Sequence, residues 1–218
     1  MTATITRPNW KKMLLQMLAG AVIGGAATMA ALMTWDDLDP SDPAQMVAFV
    51  TGMIYALMGT MVGIGAIAPA AGARMLNVED VEDLRDQRTI LGLSAAACLF
   101  IGLLFLTLAA VPAGGNSGPF SREVAAVLAG VCLVALILLT LLTNRRVDEL
   151  TLHISMEASS LAMQSSFVIF GGWAALAHLG FVEWIGPLAL ISGLALLQLL
   201  AIFWVSGKRG LMVSPKAG

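Results

Sequence analysis

Six stretches of the chain run for about twenty residues without a charged side chain: 13–33, 44–71, 89–111, 124–143, 158–178 and 184–206. A helix needs about 20 apolar residues to cross the roughly 30 Å hydrocarbon core of a bilayer. Lipid offers the backbone no hydrogen-bond partner, so each such run is expected to be a helix. The expected fold is an all-α bundle of six transmembrane helices. No long polar segment is left over, so residues 1–218 read as a single integral membrane domain. Charged residues make up only 12% of the chain, against about 25% in a soluble domain. The net charge of −2 gives no support for nucleic-acid binding, which requires a basic patch, and no nucleic-acid partner is expected.

The first run follows Arg7, Lys11 and Lys12, as a signal peptide would. A signal core spans about 7–15 residues, and this run is longer, so it reads as a retained anchor. Cytoplasmic loops of membrane proteins carry the excess of Lys and Arg. With six spans the two termini share a side. Eleven of the twelve basic residues fall on that side, and Arg122 alone falls on the other. Both termini are therefore expected in the cytoplasm, and in a prokaryote the home is the inner membrane. Trp10 and Trp35 flank the first span, and Trp184 and Trp204 bracket the sixth, as an interfacial aromatic belt requires.

The connections differ by side. The outer loops are "WDDLDPSDPA", "VPAGGNSGPFS" and little more than "LGFVE", which predicts a tight hairpin of the fifth and sixth spans. The inner "NVEDVEDLRDQR" places Val78, Val81 and Leu84 at helical spacing, with Asn77 as an N-cap, so the third span is expected to extend into the cytoplasm. The fifth span is expected to do the same. "VEDL" at 81–84 recurs as "VDEL" at 147–150. Chance plus shared helix-start chemistry accounts for this, and a relic of a duplicated helical hairpin is the lesser alternative.

The fifth span carries the most polar helical face. At 100° per residue His153, Glu157, Ser160 and Gln164 share one side, and Phe167, Gly171 and His178 continue it. A second side carries Ser155, Ser159, Ala162 and Ser166. Neither suits lipid, which places this helix inside the bundle, packed by small residues. Two readings follow. The polar face either hydrogen-bonds to a neighbouring helix, or lines a path for a solute. Glu157 sits at the cytoplasmic end of its span, near Arg145 and Arg146 in sequence. No Asp, Glu, Lys or Arg falls near the midplane of any run, which argues against an ion-coupled pump.

Small residues form stripes on the first two spans: Gly20, Gly24, Ala27 and Ala31 on one, and Gly52, Ala56, Gly59, Gly63 and Ala66 on the other. Such stripes let helix backbones approach closely, so these are expected packing seams. Gln16, one turn before Gly20, is placed to bond across that seam. Cys98 and Cys132 lie in apolar runs without metal-ligand spacing and read as core residues. His153 and His178 would stand roughly 37 Å apart on one helix, so they cannot share a metal or a haem. In "DDLDPSD" the glycine position of a calcium loop holds Asp42 and the bidentate position holds Ala48, so that match fails. No catalytic motif appears.

The expectation is thus a non-enzymatic integral membrane protein without cofactor or metal. Its leading role is an accessory or scaffold subunit acting through helix packing and acidic cytoplasmic extensions. The bilayer is its medium, and its partner is another membrane protein or a second copy of itself. The competing role is a small-solute transporter or channel lined by the fifth span.

Overall fold

The computed structural model describes residues 42–68, 88–111 and 121–209, together with Gly25 and Met29. All regular structure among them is α-helical. The helices are α1 (Pro43–Ile67), α2 (Arg88–Ala109), α3 (Arg122–Asn144), α4 (Glu149–His178) and α5 (Pro187–Lys208). Each is long and apolar enough to cross a membrane, and all belong to one compact unit, residues 37–214. They correspond to the second to sixth expected spans. The first span, with Gly20 and Gly24, falls outside the described residues except for Gly25 and Met29, both helical. The expected cytoplasmic extension of the third span also lies outside them.

Local chemistry sets the helix ends. Asp42 caps α1 by accepting from the Ala44 N–H at 2.9 Å, and Pro43 takes the first position, where no N–H is needed. The apolar run continues to residue 71, but α1 stops at Ile67. Ala68 precedes Pro69 in sequence, and a residue before proline is pushed out of the helical region; Ala68 has φ −125° and ψ 77°. Ser121 caps α3 and Asp148 caps α4. Hydrogen bonding to Thr151 holds the Asp148 carboxyl below its ordinary pKa, so it stays an ionised acceptor through neutral pH. α4 then runs from Glu149, well ahead of the apolar run that begins at Ala158.

α4 ends in a Schellman turn. The Phe181 N–H donates to Leu176 O at 3.0 Å and the Gly180 N–H to Ala177 O at 3.1 Å. The turn needs a left-handed residue, and Gly180 supplies it with φ 79°. Trp173 Nε1 donates to Glu183 O at 2.9 Å and fastens the loop to the last turns of α4. Gly186 and Pro187 open α5. The charge-free run starts earlier, at Trp184, but proline at the first helical position sets the true start.

Among the described helices, α2 packs on α1 and α3, and α5 packs on α1 and α4. The resulting order is α3–α2–α1–α5–α4. The α1–α2 contact is antiparallel and made at backbone distance. A Cβ added at Gly52 would lie 3.0 Å from the Leu106 backbone N, one at Gly59 2.9 Å from Ala95 O, and one at Gly102 2.8 Å from the Ala56 backbone N. Gly63 makes only ordinary contact, 3.7 Å from the Ala95 Cβ. At the far end of the same seam the buried Gln45 Nε2 donates to Ala109 O at 2.7 Å. Tyr55 Oη on α1 donates to Ala195 O on α5 at 2.9 Å.

Small side chains dominate what is buried. Nine of the fifteen buried apolar residues among those described are alanines, while Val127, Ile137, Phe167 and Val168 point outward. This is how helices pack where lipid is as apolar as the core and close contact must supply the attraction. Buried hydroxyls answer to their own helix: Thr51 Oγ1 donates to Val47 O, and Ser192 Oγ to Leu188 O, each at 2.7 Å.

A glycine series tests the seam. Gly59→Ala and Gly102→Ala should each destabilise the protein by about 1–3 kcal/mol, because the added methyl meets backbone that must move. Gly63→Ala should be neutral or slightly stabilising. Unfolding in mixed detergent micelles measures the order, and equal stability of all three variants would mean that α1 and α2 do not meet at backbone distance.

Candidate functional site

The four polar residues singled out on the fifth span lie together on α4. His153, Glu157, Ser160 and Gln164 all line one open groove of about 790 Å³. Met156 and Leu161 complete the α4 wall, and Trp204, Val205, Lys208 and Arg209 form the α5 wall. His153, Ser160 and Gln164 are exposed and Glu157 is half-buried. Gln164 Nε2 donates to Ser160 Oγ at 3.4 Å, a long contact within one helix.

A different face of α4 does the packing. Ala158, Ala162 and Ser166 are its buried residues, and they repeat every fourth position. Ser166 Oγ donates to Ala162 O at 2.7 Å, so this stripe is smooth and self-satisfied. Ser155 and Ser159, expected on the same face, are exposed. Ser159 Oγ accepts from Gln198 Nε2 of α5 at 3.3 Å. Further out, Gly193 leaves room for the Phe170 ring, whose Cζ would lie 2.6 Å from an added Cβ. The fifth span was expected in the middle of the bundle. Among the described helices it packs on α5.

Glu157 has a different partner from the one its sequence neighbours suggest. Arg209 Nε donates to Glu157 Oε2 at 3.0 Å, and Arg209 Nη2 pairs with the same oxygen. Arg145 and Arg146 lie before the α4 cap, and Glu157 stands about 13 Å further along the helix. The short turn at Gly180 instead folds the end of α5 back beside the start of α4. That mirror relation about the turn was available in the sequence. It also brings in Trp204 and Lys208, which otherwise look like a belt residue and a tail charge. The side chains of Arg209 and Glu157 are 31% and 36% exposed, so the pair is partly screened by water and contributes placement more than stability.

The helix-seam residues Gly52, Gly59 and Gly63 are on α1, facing α2, and take no part in the groove. His178 ends α4 at the opposite end from His153. Among the described residues no group of three or more His, Cys, Asp or Glu stands close enough to hold a metal ion. Cys98 and Cys132 are free thiols on different helices.

The groove offers hydrogen-bond donors and acceptors on one wall, an apolar and aromatic surface on the other, and charges of both signs at its mouth. Its volume falls within the roughly 300–1,000 Å³ of ligand sites. The chain matches no family model, and no curated protein or solved structure resembles it at a significant level.

Charge reversal tests the pairing. Glu157→Arg alone should lower thermal stability in detergent, and adding Arg209→Glu should restore it. Adding Arg146→Glu should not. Rescue by position 146 in place of 209 would overturn the observed pair. The effect should shrink at high salt, as it does for partly exposed charges.

Proposed function

We propose that the chain is a non-enzymatic integral membrane protein of the bacterial inner membrane that binds a small solute in the α4–α5 groove, as a transporter would at the cytoplasmic end of its path. The observation that carries this is the placement of His153, Ser160 and Gln164. They face open space within a groove, while a separate stripe of α4 makes the helix contact. Ser160 and Gln164 keep hydrogen-bonding capacity that lipid would leave unmet at a cost. A bound solute or water satisfies it.

Six spans with both termini cytoplasmic remain the topology best supported by the Lys and Arg distribution. On that topology the groove opens on the cytoplasmic leaflet, since Lys208 and Arg209 end α5. The non-enzymatic part of the proposal rests on spacing, with the two histidines at opposite ends of α4.

One observation favours a second reading, an accessory or scaffold subunit whose partner helix covers the groove. α4 buries only three residues of its own, and an interhelical hydrogen bond to Gln164 would stabilise a membrane contact by about 0.6–2 kcal/mol.

Two measurements on the full-length protein separate the readings. Native mass spectrometry from neutral detergent should show a bound small molecule, and Gln164→Leu should weaken its retention about fivefold, from roughly 1 kcal/mol for a lost hydrogen bond. A photo-crosslinking residue at position 164 should capture no second polypeptide in cells. Stoichiometric capture of one, with no small-molecule adduct, favours the accessory subunit.

A further inference from the structure

We infer that the α4–α5 groove takes an acidic glycerophospholipid from the leaflet beside it, with the phosphate at Lys208 and Arg209 and the ester carbonyls at Ser160 and Gln164. This rests on the groove being a ligand site, as proposed above.

Charge comes first. The mouth holds two cations, Lys208 and Arg209, against one carboxylate, Glu157, which leaves an excess positive charge. Glu157 engages Arg209 through Nε and Nη2 on a single oxygen. A guanidinium has five N–H donors in a planar fork, so donors remain on Arg209 for a second oxyanion. Phosphate is the planar fork's natural partner, and Lys208 adds a mobile point charge beside it. The C-terminal end of α5 is itself weakly negative, so anion attraction comes from these two side chains and not from the backbone.

Depth comes second. Trp204 lies one turn before Lys208 and is 69% exposed. Tryptophan beside Lys and Arg marks the headgroup level of a bilayer. The mouth of the groove therefore stands where lipid phosphates stand. Below Glu157 the groove follows α4 for about 10 Å to Gln164, within one leaflet's half of the roughly 30 Å core. Leu161 and Val205 give that length an apolar lining.

A second polar level narrows the ligand class. Ser160 stands about 5 Å deeper than Glu157 along the helix, and the Gln164 carboxamide reaches back toward the same level, 3.4 Å from Ser160 Oγ. A fatty acid or alkyl phosphate has only methylenes at that depth. A glycerophospholipid has ester carbonyls there, which accept from a hydroxyl and a carboxamide N–H. The two steps of polarity in the groove match the two steps in that lipid.

The test titrates the delipidated full-length protein in neutral detergent and counts bound molecules by native mass spectrometry. The probes are phosphatidylglycerol, phosphatidylcholine with the same acyl chains, dodecyl phosphate and inorganic phosphate. One phosphatidylglycerol should bind about tenfold more tightly than phosphatidylcholine, and more tightly than dodecyl phosphate. Lys208→Gln, which leaves the Glu157–Arg209 pair in place, should reduce that preference about fivefold at an unchanged melting temperature. Gln164→Leu should weaken phosphatidylglycerol and leave dodecyl phosphate unaffected. Equal binding of the two phospholipids, with Lys208→Gln silent, overturns the acidic-lipid assignment, and the ligand groove stands if Gln164→Leu weakens both. Dodecyl phosphate binding as tightly as phosphatidylglycerol overturns the ester contacts. Inorganic phosphate binding as tightly replaces the lipid with a free anion. No saturable binding of any probe, together with no effect of Gln164→Leu on any retained molecule, removes both the inference and the groove proposal.

Discussion

Gly52, Gly59 and Gly102 let α1 and α2 meet backbone to backbone, and the arrangement of the other helices depends on that contact. In a bilayer no hydrophobic force drives one helix against another, so association comes from close packing and from hydrogen bonds between helices. The glycines supply the first. Gln45 and Tyr55 supply the second, reaching backbone carbonyls of α2 and α5 from the same helix, α1. α1 thereby holds α5, and α5 holds α4 through the Phe170 ring over Gly193, the Gln198–Ser159 hydrogen bond and the Arg209–Glu157 pair. The groove is the last product of this series of contacts.

α4 shows how one helix separates packing from presentation. Its small stripe of Ala158, Ala162 and Ser166 gives a flat surface with its hydroxyl already satisfied. Nothing on that stripe demands a polar partner, so it can lie dry against α5. The larger polar residues stand on another side, where side-chain length and hydrogen-bonding capacity are an asset only if something fills the space. Glu157 and Arg209 tie the two helices at the mouth, where water is near and a charged pair costs little to maintain.

Much of this was legible in the residues. The charge-free runs find every described helix, because the cost of an ionised group in lipid leaves few ways to write a span. They place some ends poorly, since lack of charge says nothing of backbone geometry. Pro69 and Pro187 set those ends, and each was visible as a proline. The helical period grouped His153, Glu157, Ser160 and Gln164, and the structure places them together on one groove. Which α4 face packs was not legible, because serines and alanines suit a dry seam and a wet wall alike. The partner of Glu157 was missed for a geometric reason. Sequence proximity favours Arg145 and Arg146, whereas the tight turn at Gly180 brings the far end of α5 alongside.

The openness of the groove at Gln164 is the point on which both functional readings turn. A nitroxide spin label at that position, in a chain with Cys98 and Cys132 replaced by alanine, measures it directly in lipid-free detergent. An open groove predicts a mobile label, relaxed by a water-soluble nickel chelate, while a label at Val168 on the outward face responds to oxygen instead. A label at 164 that is immobile and shielded from both reagents would show that the polar face is packed against protein, and would contradict the groove.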